Sequence, residues 1–381
     1  MYSVYAYGRM IADRVRTDAY RRALRESIKD EAVVVDIGTG LGIWALTACK
    51  LGARKVYAIE ASSVIQLARQ VAADNGFESR IEFIHGLSRR ATLPERADVI
   101  VSDVRGVLPF FQQGLTSLID ARDRFLKPQG VMIPHADTLW ATIVENADEH
   151  GGFFDVWNEN GHGLNLQAAR RVATNGYRKV HLKPDQLLCE PALMATLDYL
   201  RLDTPNFRDR LECSLTRAGT AHGLGVWFNS ELAPGIVLSN APGNPILIYG
   251  NTFFPFSEAV PVAAGDTVSC VLRADLIADD YAWTWETRIN RKSQPSEQIV
   301  FRQSTFFNEV YSPAQLQKSF AGHVPVLNED GLAKRFILER MNGELSLETI
   351  ARELAEKFPL KFPTFQDSLN QVAQISKQYS R

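Results

Sequence analysis

The stretch VVVDIGTGLGIWALTA at residues 33–48 constrains the fold more than any other part of the chain. A β-branched apolar run ends at Asp36. Three glycines, Gly38, Gly40 and Gly42, follow at alternate positions, and a helix-forming run takes over. β-Branched runs fit buried strands. The glycines let the backbone turn sharply and let a ligand come close to it. Similar apolar runs recur at Ala32–Ile37, Lys55–Glu60, Arg80–His85, Ala97–Asp103 and Gly130–Pro134, with helical stretches between them such as Ser63–Asn75. Strands alternating with helices give a parallel sheet covered on both faces. The expected fold is therefore α/β, with a Rossmann-like domain over residues 1–138.

The chemistry of the turn narrows its ligand. The spacing is GxGxG, not the GxGxxG of dinucleotide sites. Asp36, just before the glycines, would repel a pyrophosphate but accept a cation. The methionine end of S-adenosylmethionine is such a cation, and a nicotinamide dinucleotide is the weaker competitor. Glu60 ends the second strand 18 residues after Gly42. A carboxylate there, with the adjoining Ala61, can take the ribose hydroxyls. Upstream, Met10 and Arg16 in RMIADRVRTDAYRRAL can lie over the donor on a helix, Arg16 pairing with its carboxylate. A solvent-facing arginine is the alternative.

Beyond residue 138 the pattern changes. Leu139–Val144, Met194–Leu200, Gly223–Phe228, Thr267–Arg273 and Tyr281–Ile289 read as short antiparallel strands that would build a sandwich or barrel, and a β-barrel is expected over 139–299. An aromatic, helical insertion at 152–190 interrupts it. Residues 300–381 read as helical. One stripe is Leu347, Ile350, Ala351, Leu354 and Phe358, with Ser346 as its cap; the other is Phe365, Leu369, Val372 and Tyr379. Gly343 can end the helix before Ser346. Trp283 and Trp285 alternate on one face, which suits barrel packing more than a pocket lining, and Trp157 suits an interface.

At 381 residues the chain exceeds one core, and its formal net charge of -2 leaves no field for nucleic acid. The four cysteines lack ligand spacing, no histidine motif suggests a metal, and no apolar run is long enough to span a membrane. The N-terminus lacks the apolar stretch of a signal peptide, so a cytoplasmic protein is expected.

Over residues 5–290 the sequence resembles the protein arginine methyltransferases. The likeness is carried by M-I-A-D-R-V-R-T at 10–17, D-I-G-T-G-L-G at 36–42 and L-G-A-R-K-V-Y-A-I-E at 51–60. S-D-V-R-G at 102–106 and D-A-R-D-R-F-L-K-P-Q-G-V-M-I-P at 120–134 extend it. The resemblance implies a Rossmann-like donor domain, a barrel and an inserted dimerisation arm, here 152–190, and hence a homodimer. It implies that Met10, Arg16, Asp36 and Gly38 line the donor's methionine end and that Glu60 takes the ribose. Ser88 matches the adenine position, where Arg89 replaces the usual acid beside it.

The acceptor loop departs from the family. Two glutamates nine residues apart hold the guanidinium there; here Asp103 and Gln112 occupy their places. Leu247, Ile248 and Tyr249 replace Thr-His-Trp, so the family's histidine is absent. A guanidinium stays cationic, with a pKa above about 12, until it is methylated. Either the acceptor is not arginine, or other acids such as Asp280 and Glu286 complete the clamp. Arg105 in the same loop points to an anionic or polar acceptor. Bacterial relatives with an S-D-x-R-G-V-L-P loop resemble the chain here. Asp103, at the end of the fourth strand, is the expected base or anchor.

The C-terminal stretch, with L-N-E-D-G-L-A at 327–333 and M-N-G-E-L-S-L-E-T-I-A at 341–351, resembles PqqD-like domains. Those are small winged-helix units, so the resemblance implies a module that recruits a peptide over residues 300–381. The expectation is a methyltransferase that acts on a peptide or protein and releases S-adenosyl-L-homocysteine. Small-molecule methylation and non-catalytic donor binding are the alternatives.

Overall fold

The computed structural model describes residues 3–159, 163–308, 317–318 and 320–380. Residues 160–162 of the expected arm and 309–316 of the expected C-terminal module therefore lie outside the described residues. The chain divides into two compact units, residues 1–310 and 311–381.

The first unit opens with α1 (Val4–Ala12) and α2 (Arg14–Ser27), separated by Asp13, whose carboxylate accepts the Arg16 amide at 3.0 Å and caps α2. A five-stranded parallel sheet follows. Its strands are β1 (Val33–Ile37), β2 (Lys55–Glu60), β3 (Ile81–His85), β4 (Ala97–Ser102) and β5 (Leu126–Ile133), in the order β3-β2-β1-β4-β5. Every residue of β1 is buried, as the continuous apolar run requires of a strand covered on both faces. Helices α3 (Ile43–Lys50), α4 (Ile65–Asp74) and α5 (Gly114–Phe125) connect the strands. Strand order reverses between β1 and β4, so a crevice opens at their carboxyl ends, where ligands bind in such sheets.

The same unit continues into two antiparallel sheets. One holds β6 (Ala136–Val144), β7 (Arg178–Val180), β8 (Ala192–Asp198), β10 (Gly219–Ala233), β11 (Ile236–Ser239) and β12 (Asn251–Val262), ordered β7-β12-β10-β6-β8 with β11 on β10. The other runs β15-β14-β13-β9, with β9 at Phe207–Ser214, β13 at Thr267–Ile277, β14 at Asp280–Asn290 and β15 at Gln298–Ser304. The strands of the expected barrel domain fall into these two antiparallel sheets. Their core includes Trp283 and Trp285, both fully buried against Phe254 at ring distances of 5.2 and 5.3 Å. Each such aromatic contributes on the order of 2–3 kcal/mol of burial. The insertion carries α6 (Ala147–Glu159) and α7 (Gln167–Ala173).

The expected boundary at 299/300 cuts through β15, which pairs with β14 from Gln298 to Ser304. Residues 300–304 are thus strand, not helix. Ser304 is further held by Asn175, which accepts its amide at 2.9 Å.

The second unit is a three-helix cluster of α8 (Glu329–Arg340), α9 (Leu347–Lys357) and α10 (Phe365–Tyr379). Each helix starts on a side-chain cap. Asn328 accepts from Gly331, Ser346 from Thr349, and Thr364 forms a reciprocal box with Asp367. Phe336, Ile337, Ile350, Leu354, Val372 and Ile375 form its core. The outer members of the expected stripes, Leu347 and Tyr379, are exposed. No strand occurs among the described residues of this unit, so the wing of the expected winged helix is missing there. Residues 323–328 run in no regular element, and Pro325 removes one amide donor that a wing strand would use.

Candidate functional site

At the carboxyl end of β1 the glycine turn has the backbone its sequence requires. Gly38, Gly40 and Gly42 adopt φ of 71°, 55° and 82°. A side chain on Gly38 would collide with Val104, and a Cβ on Gly40 would sit 2.6 Å from the Tyr7 ring of α1. α1 therefore lies against the turn. Asp36 is completely buried. One carboxylate oxygen accepts from the Thr39 hydroxyl at 2.5 Å and the Ala45 amide at 3.0 Å, while the other has no partner. Burial pushes this carboxyl up to about 7, against the pull of the two hydrogen bonds.

Glu60, at the end of β2, accepts the Gly40 amide at 3.1 Å and the Ser62 amide at 2.8 Å. It joins the turn to the second strand. Ser88 is buried in the short turn after β3, two residues beyond Gly86, whose amide donates to the Glu60 carbonyl at 2.9 Å. Ala61 is exposed. Met10 enters through its carbonyl, which accepts from Arg16 Nη1 at 3.0 Å. Arg16 also lies 5.1 Å from the Trp44 ring, and Trp44 stacks on Tyr20 at 4.7 Å. The turn thus offers exposed backbone at Gly38, a buried carboxylate oxygen without a partner, and an arginine. A ligand with a cationic group, hydroxyls and a carboxylate answers all three, which is the donor set of S-adenosylmethionine.

The end of β4 is built on a different plan. Arg16 donates to one Asp103 oxygen through Nε at 2.6 Å and also pairs with it through Nη2. Tyr20 donates to the other oxygen at 3.0 Å, and Arg105 Nε lies 3.2 Å from it. Tyr249 sits 2.7 Å from both. Arg105 continues inward. Its Nη1 reaches Asp137 at 3.2 Å and Ser230 at 3.4 Å, and Asp137 accepts from Tyr199 at 2.6 Å. Two arginines and two aspartates balance each other in the interior. Burial opposes the charge on Arg105, but Asp137 and then the neighbouring tyrosines and Asp103 raise it above its ordinary value. Burial raises the phenols of Tyr20, Tyr199 and Tyr249, so they stay protonated and donate.

The structure brings Arg16, Asp103, Arg105 and Tyr249 together in one network, a grouping that the sequence reading, with Arg16 on the donor and Asp103 and Arg105 toward the acceptor, did not make. Gln112 stands apart: it is exposed in a turn with φ of 45°. Its neighbour Gln113 instead bridges to the β13–β14 turn, donating to Ala278 and Asp279 at 2.7 and 2.9 Å. Asp280 opens β14, opposite Ile277. Glu286 is on β14, tied to Arg288 and Arg302. Sequence reasoning did not name Tyr20, Asp137, Tyr199 or Ser230. The available signal was a polar residue inside an otherwise apolar strand, as at Asp137 and Ser230.

Comparison with known proteins agrees with this layout. The family described as "Ribosomal protein L11 methyltransferase (PrmA)" matches residues 17–135, and that described as "Arginine methyltransferase oligomerization subdomain" matches 135–287. "Protein arginine N-methyltransferase 6" of Xenopus tropicalis is 32% identical, over 68% of this chain and 80% of its own length. "Protein arginine N-methyltransferase 2" of Mus musculus is 32% identical, over 68% and 61%. "Probable protein arginine N-methyltransferase 6.1" of rice (Oryza sativa subsp. japonica) is 30% identical, over 62% and 61%. The chain thus spans less than two thirds of the mouse and rice relatives. Among solved structures, Arabidopsis thaliana protein arginine methyltransferase 10 superposes with a TM-score of 0.69 at 25% identity, covering 80% of this chain and 98% of that one. The Trypanosoma brucei enzyme–prozyme heterotetramer with AdoHcy gives 0.71 at 23% identity, over 78% and 97%.

Proposed function

This chain belongs to the protein arginine N-methyltransferase family, and on that premise we propose that it is an S-adenosylmethionine-dependent methyltransferase acting on a side chain of a peptide or protein. The observation that carries the reading is the glycine turn with its unpartnered Asp36 oxygen. Asp36 would face the donor's cationic methionine end. Glu60, whose carboxylate already fixes Gly40, would take the ribose, with Ala61 beside it and Ser88 toward the adenine. Arg16 has five N–H groups, and its bonds to Asp103 and Met10 leave N–H groups on both terminal nitrogens for a carboxylate. The donor supplies an electrophilic methyl on sulfur; the protein supplies position. Asp103 acts here as a positioning residue that fixes Arg16.

The remaining readings are proposals of the same kind. The protein works in the cytoplasm as a homodimer through the 152–190 arm. Trp157, partly buried, and the exposed Val156 and Leu164 supply apolar surface there. The C-terminal unit, PqqD-like, recruits a peptide, in keeping with a bacterial subgroup that modifies ribosomally made peptides. Its α8 carries a shallow apolar groove lined by Leu327, Gly331 and Leu338 and rimmed by Lys334, Arg335 and Glu339. Such grooves take peptides along a helix.

Calorimetric titration with S-adenosylmethionine tests the donor site. Micromolar binding that is lost in Glu60→Ala and weakened in Arg16→Ala is expected; no binding to the wild type sinks the reading. Deleting residues 311–381 should cost affinity for a peptide substrate and leave donor binding intact.

A further inference from the structure

The two antiparallel sheets end on β8 and β9, the last strands of their respective orders. These strands follow one another in the chain and touch. The chain reverses between them, so the start of β8 and the end of β9 come back together. Leu188, before β8, donates its amide to the Ile143 carbonyl of β6 at 2.9 Å. Its own carbonyl accepts the Thr216 amide, just beyond β9, at 2.8 Å. Arg217 reaches the Leu187 carbonyl at 3.2 Å.

Two free cysteines lie in this seam, Cys189 before β8 and Cys213 on β9. Cys189 is buried, with the Thr142 hydroxyl 3.3 Å from its sulfur. Cys213 is half-buried and Glu190 is exposed, so the seam reaches solvent. The Cys213 thiol donates a hydrogen bond to the Cys189 sulfur. That bond, against burial, brings the Cys189 thiol down to about 6, while the same contact and then burial push Cys213 up. Burial raises Cys49 and Cys270. Cys189 is thus the thiolate of the four cysteines, and its nearest sulfur neighbour is a protonated thiol. The thiolate is the nucleophile of sulfur chemistry. A low-pKa thiolate beside a resolving thiol is the arrangement of a redox-sensing pair. Metal binding does not account for the pair, because no metal-holding group of side chains gathers among the described residues.

We propose that Cys189 and Cys213 form a modification site, which peroxide oxidises to a disulfide that clasps the edges of the two antiparallel sheets. The Cys189 thiolate attacks one peroxide oxygen. The O–O bond breaks with its electron pair on the other oxygen, which takes up the proton that Cys189 gave off and leaves as water. Cys189 is then a sulfenic acid. The Cys213 sulfur attacks the Cys189 sulfur, the S–S bond forms, and the hydroxyl leaves with the Cys213 proton as a second water. The two thiols together lose two electrons, and the peroxide gains them. The bond closes the chain between residues 189 and 213 into a loop, which restricts the unfolded state.

The test uses the full reduced chain, treated with hydrogen peroxide under native conditions and blocked with N-ethylmaleimide. Two of the four thiols should disappear, and a non-reducing peptide map should show Cys189 linked to Cys213 within one chain. The thermal midpoint should rise by about 5 °C and return on addition of dithiothreitol. Cys213→Ser should instead gain oxygen on Cys189 without any cross-link, and Cys49→Ser should behave as the wild type. Survival of all four thiols overturns the inference, as does a link that joins another pair or two chains. A cross-link that leaves the midpoint unchanged or lowers it removes the clasp.

Discussion

The ends of β1 and β4 lie side by side in one parallel sheet, and they treat their charges in opposite ways. At β1, Asp36 keeps a buried oxygen without a partner and Gly38 leaves its backbone exposed. At β4, Asp103 is surrounded by donors, and Arg105 carries the network on to Asp137 in the neighbouring antiparallel sheet. Buried polar groups without partners cost stability, and folded proteins keep few of them. The first end is therefore a place prepared for a ligand. The second is a completed internal joint that ties the parallel sheet to an antiparallel one and fixes Arg16, the proposed partner of the ligand's carboxylate. Proximity to a crevice alone does not make a charged residue a substrate contact; what matters is whether its bonds are already made.

The largest effect should come from breaking the joint. Asp137→Ala leaves Arg105 charged in the interior with only Asp103, already shared with Arg16, to pair with, and should cost about 3–5 kcal/mol in denaturant unfolding. A loss within error would mean that Arg105 is not held as described. Next is the receptive end. Gly40→Val forces a β-branched residue into a left-handed conformation against Tyr7, costing on the order of 1–2 kcal/mol of backbone strain. Donor binding should fall more than about tenfold, and undiminished calorimetric affinity would remove the turn from the site.

Smaller is a pH effect at Asp36. Its carboxyl, pushed up to about 7 by burial, binds a cation only when ionised. Donor affinity should fall about tenfold per pH unit below that value and level off above it. The folded state holds this proton more tightly than the unfolded chain. The stabilisation from Asp36 is thus present at low pH and is lost as pH rises from about 4 through about 7. Asp36→Asn should flatten both dependences; a titration curve unchanged in that variant would assign the proton elsewhere. The smallest effect is at Gln112. Gln112→Gly relieves its positive φ and should stabilise by up to about 1 kcal/mol, with no change in donor binding. A drop in stability would show that the Gln112 side chain holds something.

The donor end was legible in the sequence because its residues are contiguous. The run to Asp36, the glycines and Glu60 lie within 28 residues, and buried parallel strands announce themselves as apolar runs. Strands β9 and β15 were less visible. Phe207–Ser214 and Gln298–Ser304 are charged outer strands of their sheet, and β12 contains Pro255 and Pro261. Mistaking β15 for helix displaced the expected domain boundary. The joint at β4 was the least legible part. Tyr20, Asp103, Asp137, Tyr199 and Ser230 are scattered across more than 200 positions, and only the three-dimensional fold shows that they surround Arg16 and Arg105 and that the two aspartates balance the two arginines.

The most direct test of this contrast is a crystal structure with S-adenosylhomocysteine bound. Asp36 and the terminal nitrogens of Arg16 should face the ligand, while Asp103 keeps its bonds to Arg16, Tyr20, Arg105 and Tyr249. An Asp103 carboxylate released from those partners and turned toward the vacated methyl position would contradict the account.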